Sequence, residues 1–112
     1  MSKLLIVEDD EVLAGIISDV LAEAEHATIV ATTAEDALDL LQAHHDISAI
    51  LADHRLKGDT TGLEVLRTAQ SDLPNLRCML MSGDVRSLPD SLDGIEVLPK
   101  PVRMKELIEK IC

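Results

Sequence analysis

The chain has 112 residues, enough to bury one hydrophobic core without disulfides or a structural metal. Ten Lys and Arg against 21 Asp and Glu leave a net charge of −11, a surface that repels phosphate backbones and anionic lipid, so direct nucleic-acid and membrane-surface binding are not expected. Phe, Tyr and Trp are all absent, so Leu, Ile, Val, Ala and Met carry the packing and no ring is available to stack a flavin or a base.

Lys3-Leu4-Leu5-Ile6-Val7 is a short aliphatic run that reads as a buried strand and stops at the acidic cluster Glu8-Asp9-Asp10-Glu11. Leu13, Ile16, Ile17, Val20, Leu21 and Ala24 then recur with a helical period, which predicts a first helix from about Asp10 to Glu25 with those residues inward. Asp10 and Glu11 suit the positive end of its dipole as capping charges. Thr28–Ala31 reads as a second strand, and Thr33 with Asp36 resembles a capping box that opens a helix with Ala34, Ala37, Leu38 and Leu41 inward. His44-His45-Asp46 ends that helix as a solvated terminus, since neighbouring side chains there diverge and no third ligand accompanies them. Ile47–Ala52 is strand three and closes on Asp53. Leu63, Leu66 and Ala69 mark a third helix that stops near Pro74.

Leu76–Met81 is strand four, ending on Ser82-Gly83, with Cys78 inside it as a small buried hydrophobe. The stretch from Asp84 to Gly94 has weak periodicity and contains Pro89, which predicts a short or irregular helix. Ile95–Leu98 is strand five, and Arg103–Ile111 is a last helix with Met104, Leu107, Ile108 and Ile111 on one face. Strands that alternate with helices and are nearly continuously apolar predict an α/β fold with a parallel sheet covered on both faces. The expectation is one domain over residues 1–112, with no output module, no repeat and no linker. Two cysteines, the absence of an apolar leader before Lys3 and no run near ~20 apolar residues make the cytoplasm the expected compartment.

In an open parallel sheet, ligands bind beyond the carboxyl ends of the strands. Glu8 and Asp9 follow strand one, Asp53 strand three, Ser82 strand four and Lys100 strand five, so carboxylates, a hydroxyl and an ammonium share one rim. Converging carboxylates repel one another unless protons or a cation relieve them. Oxygen ligands without Cys or His favour Mg²⁺, which is usually held by one or two carboxylates plus phosphate oxygens. Lys100 would neutralise one phosphoryl oxygen and Ser82 would donate to another.

These residues resemble the receiver domain of two-component response regulators over the whole chain. The matching segments are Leu4-Leu5-Ile6-Val7-Glu8-Asp9-Asp10, Ile50-Leu51-Ala52-Asp53 with Gly62-Leu63, Met79-Leu80-Met81-Ser82-Gly83, and Leu98-Pro99-Lys100-Pro101. The resemblance implies a flavodoxin-like doubly wound sheet of five parallel strands in the order 2-1-3-4-5, with a shortened or irregular fourth helix here. By the same resemblance, Asp53 matches the phosphoacceptor, Lys100 the lysine that pairs with the phosphoryl group and Ser82 the switch hydroxyl. Asp9 matches the direct Mg²⁺ ligand, Glu8 its acidic neighbour, and Arg55 the position whose backbone carbonyl binds the metal. Pro101 matches a proline expected to follow a cis bond. The implied donors are a phosphohistidine of a sensor histidine kinase or histidine phosphotransfer protein, or a small donor such as acetyl phosphate, and the downstream target is an unspecified protein.

The chain departs from that family at Val97, which stands where an aromatic usually couples to the switch hydroxyl. The short segment between Ser82 and Lys100 argues against dimerisation through a fourth helix, and the loop from Asp53 to Gly62 is one residue longer than in the commonest members. Ala14, Gly15, Ser18 and Ala22 form a small-residue strip on the first helix, expected to meet the donor protein. His54-Arg55-Leu56-Lys57-Gly58 matches the pattern around a phosphohistidine only by accident, because those residues leave a strand rather than sit in a helical bundle. Three rival readings differ in kind. An aspartyl phosphatase would carry a second Asp where Arg55 stands, a flavin or nucleotide binder would open on glycines rather than acids, and a degenerate receiver would act unphosphorylated as an interaction module.

Overall fold

The computed structural model describes residues 3–111, with side chains described through Lys110; Met1, Ser2 and Cys112, and the side chain of Ile111, lie outside the described residues. The element order is β1 (Lys3–Val7), α1 (Glu11–Glu23), β2 (Ala27–Ala31), α2 (Ala34–Ala43), β3 (Ile47–Asp53), α3 (Gly62–Asp72), β4 (Arg77–Ser82), β5 (Glu96–Pro99) and α4 (Met104–Ile111). All strand pairings are parallel and the sheet order is β2-β1-β3-β4-β5, the expected doubly wound fold.

Period-two alternation of side chains builds two cores from one sheet. Leu5, Val7, Ile50, Ala52, Cys78 and Leu80 face α2 and α3, where Ala37, Leu41, Leu63, Leu66 and Ala69 meet them. Leu4, Ile6, Leu51, Met79, Met81 and Leu98 point to the opposite face against Ile17, Leu21 and Leu107. Three side chains cap the helices that leave the rim. Asp10 accepts from the amides of Val12 and Leu13, Thr33 from Asp36 and Thr61 from Glu64, so each helix starts at a fixed place after its strand.

Two local expectations, both on α1, need correction. Ile16 is 49% exposed rather than inward, because the stripe that meets the sheet runs through Ala14, Ile17 and Leu21. Ala14 is therefore buried, and Ser18 shares a 2.7 Å hydrogen bond with Thr28, so the small-residue strip is not a free surface. β2 is an edge strand and only Ala31 within it is fully buried. Between β4 and β5 the fourth helix is reduced to a single 3-10 turn, Val85–Ser87, in line with the weak periodicity and Pro89 of that stretch. Leu88 and Leu92 pack on the α3 side in its place, and Arg67 and Gln70 of α3 donate to the carbonyls of Ser91 (3.2 Å) and Asp93 (2.6 Å). Among the described residues no helix is long and apolar enough to cross a membrane.

Candidate functional site

Parallel register carries β1, β3, β4 and β5 to one rim, and backbone bonds beyond the strand ends hold that rim together. The His54 amide donates to the Met81 carbonyl at 2.9 Å, the Lys100 amide to the Ser82 carbonyl at 2.8 Å and the Gly62 amide to the His54 carbonyl at 2.9 Å. A side chain at position 62 would drive its Cβ into the Asp53 carbonyl, so α3 can start this close to the acceptor position only with glycine there.

The structure brings Glu8, Asp9 and Asp53 together, with one carboxylate oxygen from each lying within 4.8 Å of the others. Glu8 is 1% exposed. One of its oxygens accepts from the Asp10 amide at 3.2 Å, while Oε2 is buried without a hydrogen-bond partner. Burial, reinforced by the adjacent Asp53, pushes the Glu8 carboxyl from 4.5 up to about 8. A buried carboxylate oxygen without a donor, beside two more carboxylates, is the environment that a hard divalent cation relieves. The residues present fit Mg²⁺ on that ground.

On the other side of Asp53, its Oδ2 accepts from the Lys100 ammonium at 2.8 Å, and its Oδ1 from the Arg55 amide at 3.3 Å. The Lys100–Pro101 bond is cis, as expected. Ser82 is buried at the end of β4. Its Oγ accepts from the Asp84 amide at 3.2 Å, which ties the hydroxyl to the segment that replaces the fourth helix. Asp53, Ser82 and Lys100 open into a cleft of roughly 610 Å³ whose far walls are His54, Thr60, Thr61, Asp84 and Ser87. Each site position named from the sequence is thus on this rim, with the Arg55 amide turned to Asp53.

Three features were not legible in advance. The Nδ1 atom of His54 is buried and unpartnered, the Asp84 amide holds Ser82, and Lys57 faces Asp9, Asp10 and Glu11 across a second cavity. The first two depend on side-chain direction at a loop start, and the third on a reversal at Gly58, whose φ of 100° is a left-handed backbone conformation that glycine adopts readily.

A doubly wound α/β sheet of this order, with an acidic cluster able to hold a metal ion and a lysine on one rim, defines the class of fold and site. The response regulator receiver domain family model matches residues 4–112, and the chain belongs to that family. It is a receiver of two-component signalling. A two-component response regulator of Arabidopsis thaliana is 27% identical over 107 residues, covering 93% of this chain, and the chain spans only 17% of that protein's length. Among solved structures, a receiver domain protein of Clostridium thermocellum superposes with a TM-score of 0.90 at 20% identity, covering 99% of this chain and 91% of that one. The Thermotoga maritima response regulator TrrA, crystallised with Mg²⁺ and BeF, gives 0.88 at 21% identity over 99% and 96% of the two chains. The receiver domain of the hybrid histidine kinase CckA gives 0.83 at 24% identity over 98% and 95%.

Proposed function

We propose that Asp53 is the phosphoacceptor of this receiver, taking a phosphoryl group from the phosphohistidine of a sensor histidine kinase or a histidine phosphotransfer protein. The observation that carries this reading is the position of one buried carboxylate, paired with Lys100 at 2.8 Å and sharing a 4.8 Å cluster with Glu8 and Asp9. A carboxylate oxygen of Asp53 attacks phosphorus in line. The P–N bond to the donor imidazole breaks and its electron pair stays on nitrogen. Lys100, already at the acceptor, neutralises phosphoryl oxygen charge as transfer proceeds, and the Ser82 hydroxyl donates to a second oxygen.

Glu8, Asp9, Asp53 and the Arg55 carbonyl would hold Mg²⁺, which supplies further charge neutralisation to the phosphoryl oxygens. The domain catalyses only its own labelling and hydrolysis. The signal leaves by protein contact, and the Asp84 amide on Ser82 gives a direct route from the acceptor to the segment after β4. The cytoplasm, where ATP-fed kinases reside, is the compartment in which this chemistry is proposed. The complete set of acceptor, lysine, hydroxyl and acids on one rim argues against a degenerate receiver.

Intact mass after incubation with acetyl phosphate and Mg²⁺ tests the assignment. One added group of about 80 Da is expected, lost in Asp53→Asn and in a chelated sample. No added mass with either acetyl phosphate or phosphorylated kinases would overturn it.

A further inference from the structure

The acceptor has one cation committed to it, Lys100, bonded at 2.8 Å to Asp53. A second lysine shares a cavity with Asp9, one member of the carboxylate cluster. Lys57 lies in the loop between β3 and α3, exposed, and lines a cavity of about 610 Å³ whose remaining walls are Asp9, Asp10, Glu11 and Val12. The loop is anchored so that this orientation is built in. Leu56, one residue earlier, packs on the core, and Gly58, one residue later, reverses the chain at φ 100°. Leu56 and Gly58 both line the acceptor cleft, while Lys57 is turned to the acidic start of α1. Lys57 forms no ion pair among the described residues, so its charge stands across solvent from these acids and is not consumed by any of them.

A positive charge facing the carboxylates that gather a divalent cation opposes that cation's entry. We propose that Lys57 weakens divalent-cation affinity at the Glu8, Asp9 and Asp53 cluster by electrostatic competition. The inference rests on the metal-site reading above. Asp10 and Glu11 add negative charge on the same side, and Asp10 is already used as a helix cap, so its carboxylate stays fixed where Lys57 faces it. The site is thereby tuned to fill at higher Mg²⁺ concentrations than its carboxylates alone would set. Because the interaction crosses solvent, it is a screened effect and depends on ionic strength.

The test is calorimetric titration of the full chain with MgCl₂ at low and at high NaCl, comparing wild type, Lys57→Ala and Lys110→Ala. Lys110, in the last turn of α4, changes the net charge equally and lines neither the acceptor cleft nor the acidic cavity. The expected result is about threefold tighter binding by Lys57→Ala at low salt, converging on wild type at high salt, with Lys110→Ala unchanged. Equal tightening in both variants would reduce the effect to overall charge and overturn the proposal, as would unchanged or weaker binding in Lys57→Ala. Absence of saturable Mg²⁺ binding in wild type would overturn the metal site itself. A ratio of one between saturable curves overturns only the role of Lys57. Matching melting curves in chelator separate the charge effect from a fold defect.

Discussion

Glu8 is nearly inaccessible, one of its oxygens has no donor, and Asp53 lies beside it, so without a cation it holds a proton up to about pH 8. In the unfolded chain the same carboxyl releases its proton near 4.5. Between those values the folded state binds more protons than the unfolded one, so this group's contribution to stability is full below 4.5 and is lost as pH rises through about 8. The metal-free protein is expected to lose melting temperature from pH 5 to pH 8. Glu8→Gln should flatten that slope and exceed wild type at pH 8, and added Mg²⁺ should raise wild type but not the variant. Far-ultraviolet circular dichroism melts at several pH values in chelator check this, and parallel slopes would refute it. Lys100→Met is the complementary change. It removes the ammonium bonded to Asp53 and should slow acetyl phosphate labelling about 100-fold, with the circular dichroism spectrum retained.

At the scale of elements, the junction of β3 and α3 is the tightest point of the rim. Gly62→Ala would set a methyl against the Asp53 carbonyl, so about 2 kcal/mol or more of stability should be lost. Gly15→Ala is the control, since position 15 is an exposed helical site with open space around it. It should gain about 0.5–1 kcal/mol, and urea unfolding of both variants measures the contrast. The strands were legible in the sequence because nearly continuous aliphatic runs such as Leu4–Val7 and Met79–Met81 belong to a sheet covered on both faces, and parallel order then puts every strand end on one rim. Helix starts were legible where a cap residue exists, as at Asp10 and Thr33. The facing of α1 was not, because Val12, Leu13, Ile16, Ile17 and Val20 form an apolar band wider than the sheet can cover, and only packing decides that Ala14 goes under and Ile16 stays out. Pro89 and weak periodicity correctly signalled a broken fourth helix. That Leu88 and Leu92 would pin the segment to α3 depends on tertiary contacts that no local pattern encodes.

For the molecule as a whole, the correction at α1 moves the expected donor contact. With Ala14 buried and Ser18 bonded to Thr28, the exposed face of α1 carries Val12 at 74%, Gly15, Ile16 at 49% and Ala22 between the acids Glu11, Asp19 and Glu23. Leu13 and Ile17 on the same helix line an apolar groove of about 450 Å³ with Met81, Pro101, Val102 and Met104, and Lys100 stands at that groove as well as in the acceptor cleft. A donor helix laid along α1 would therefore bring a phosphohistidine to the rim without crossing the segment that replaces the fourth helix. Exposed aliphatic side chains beside a reactive cleft contribute affinity to a protein donor, while a small donor needs only the cleft. Ile16→Glu replaces an exposed aliphatic side chain with a charge and adds to a chain already at −11. It should slow transfer from a phosphorylated kinase or phosphotransfer protein about tenfold while acetyl phosphate labelling stays at the wild-type rate. The two donors are compared on the same protein by phosphate-affinity gel or intact mass. Equal slowing with both would mean that the substitution disturbs the acceptor rather than the docking face, and unchanged transfer from the protein donor would place its contact elsewhere.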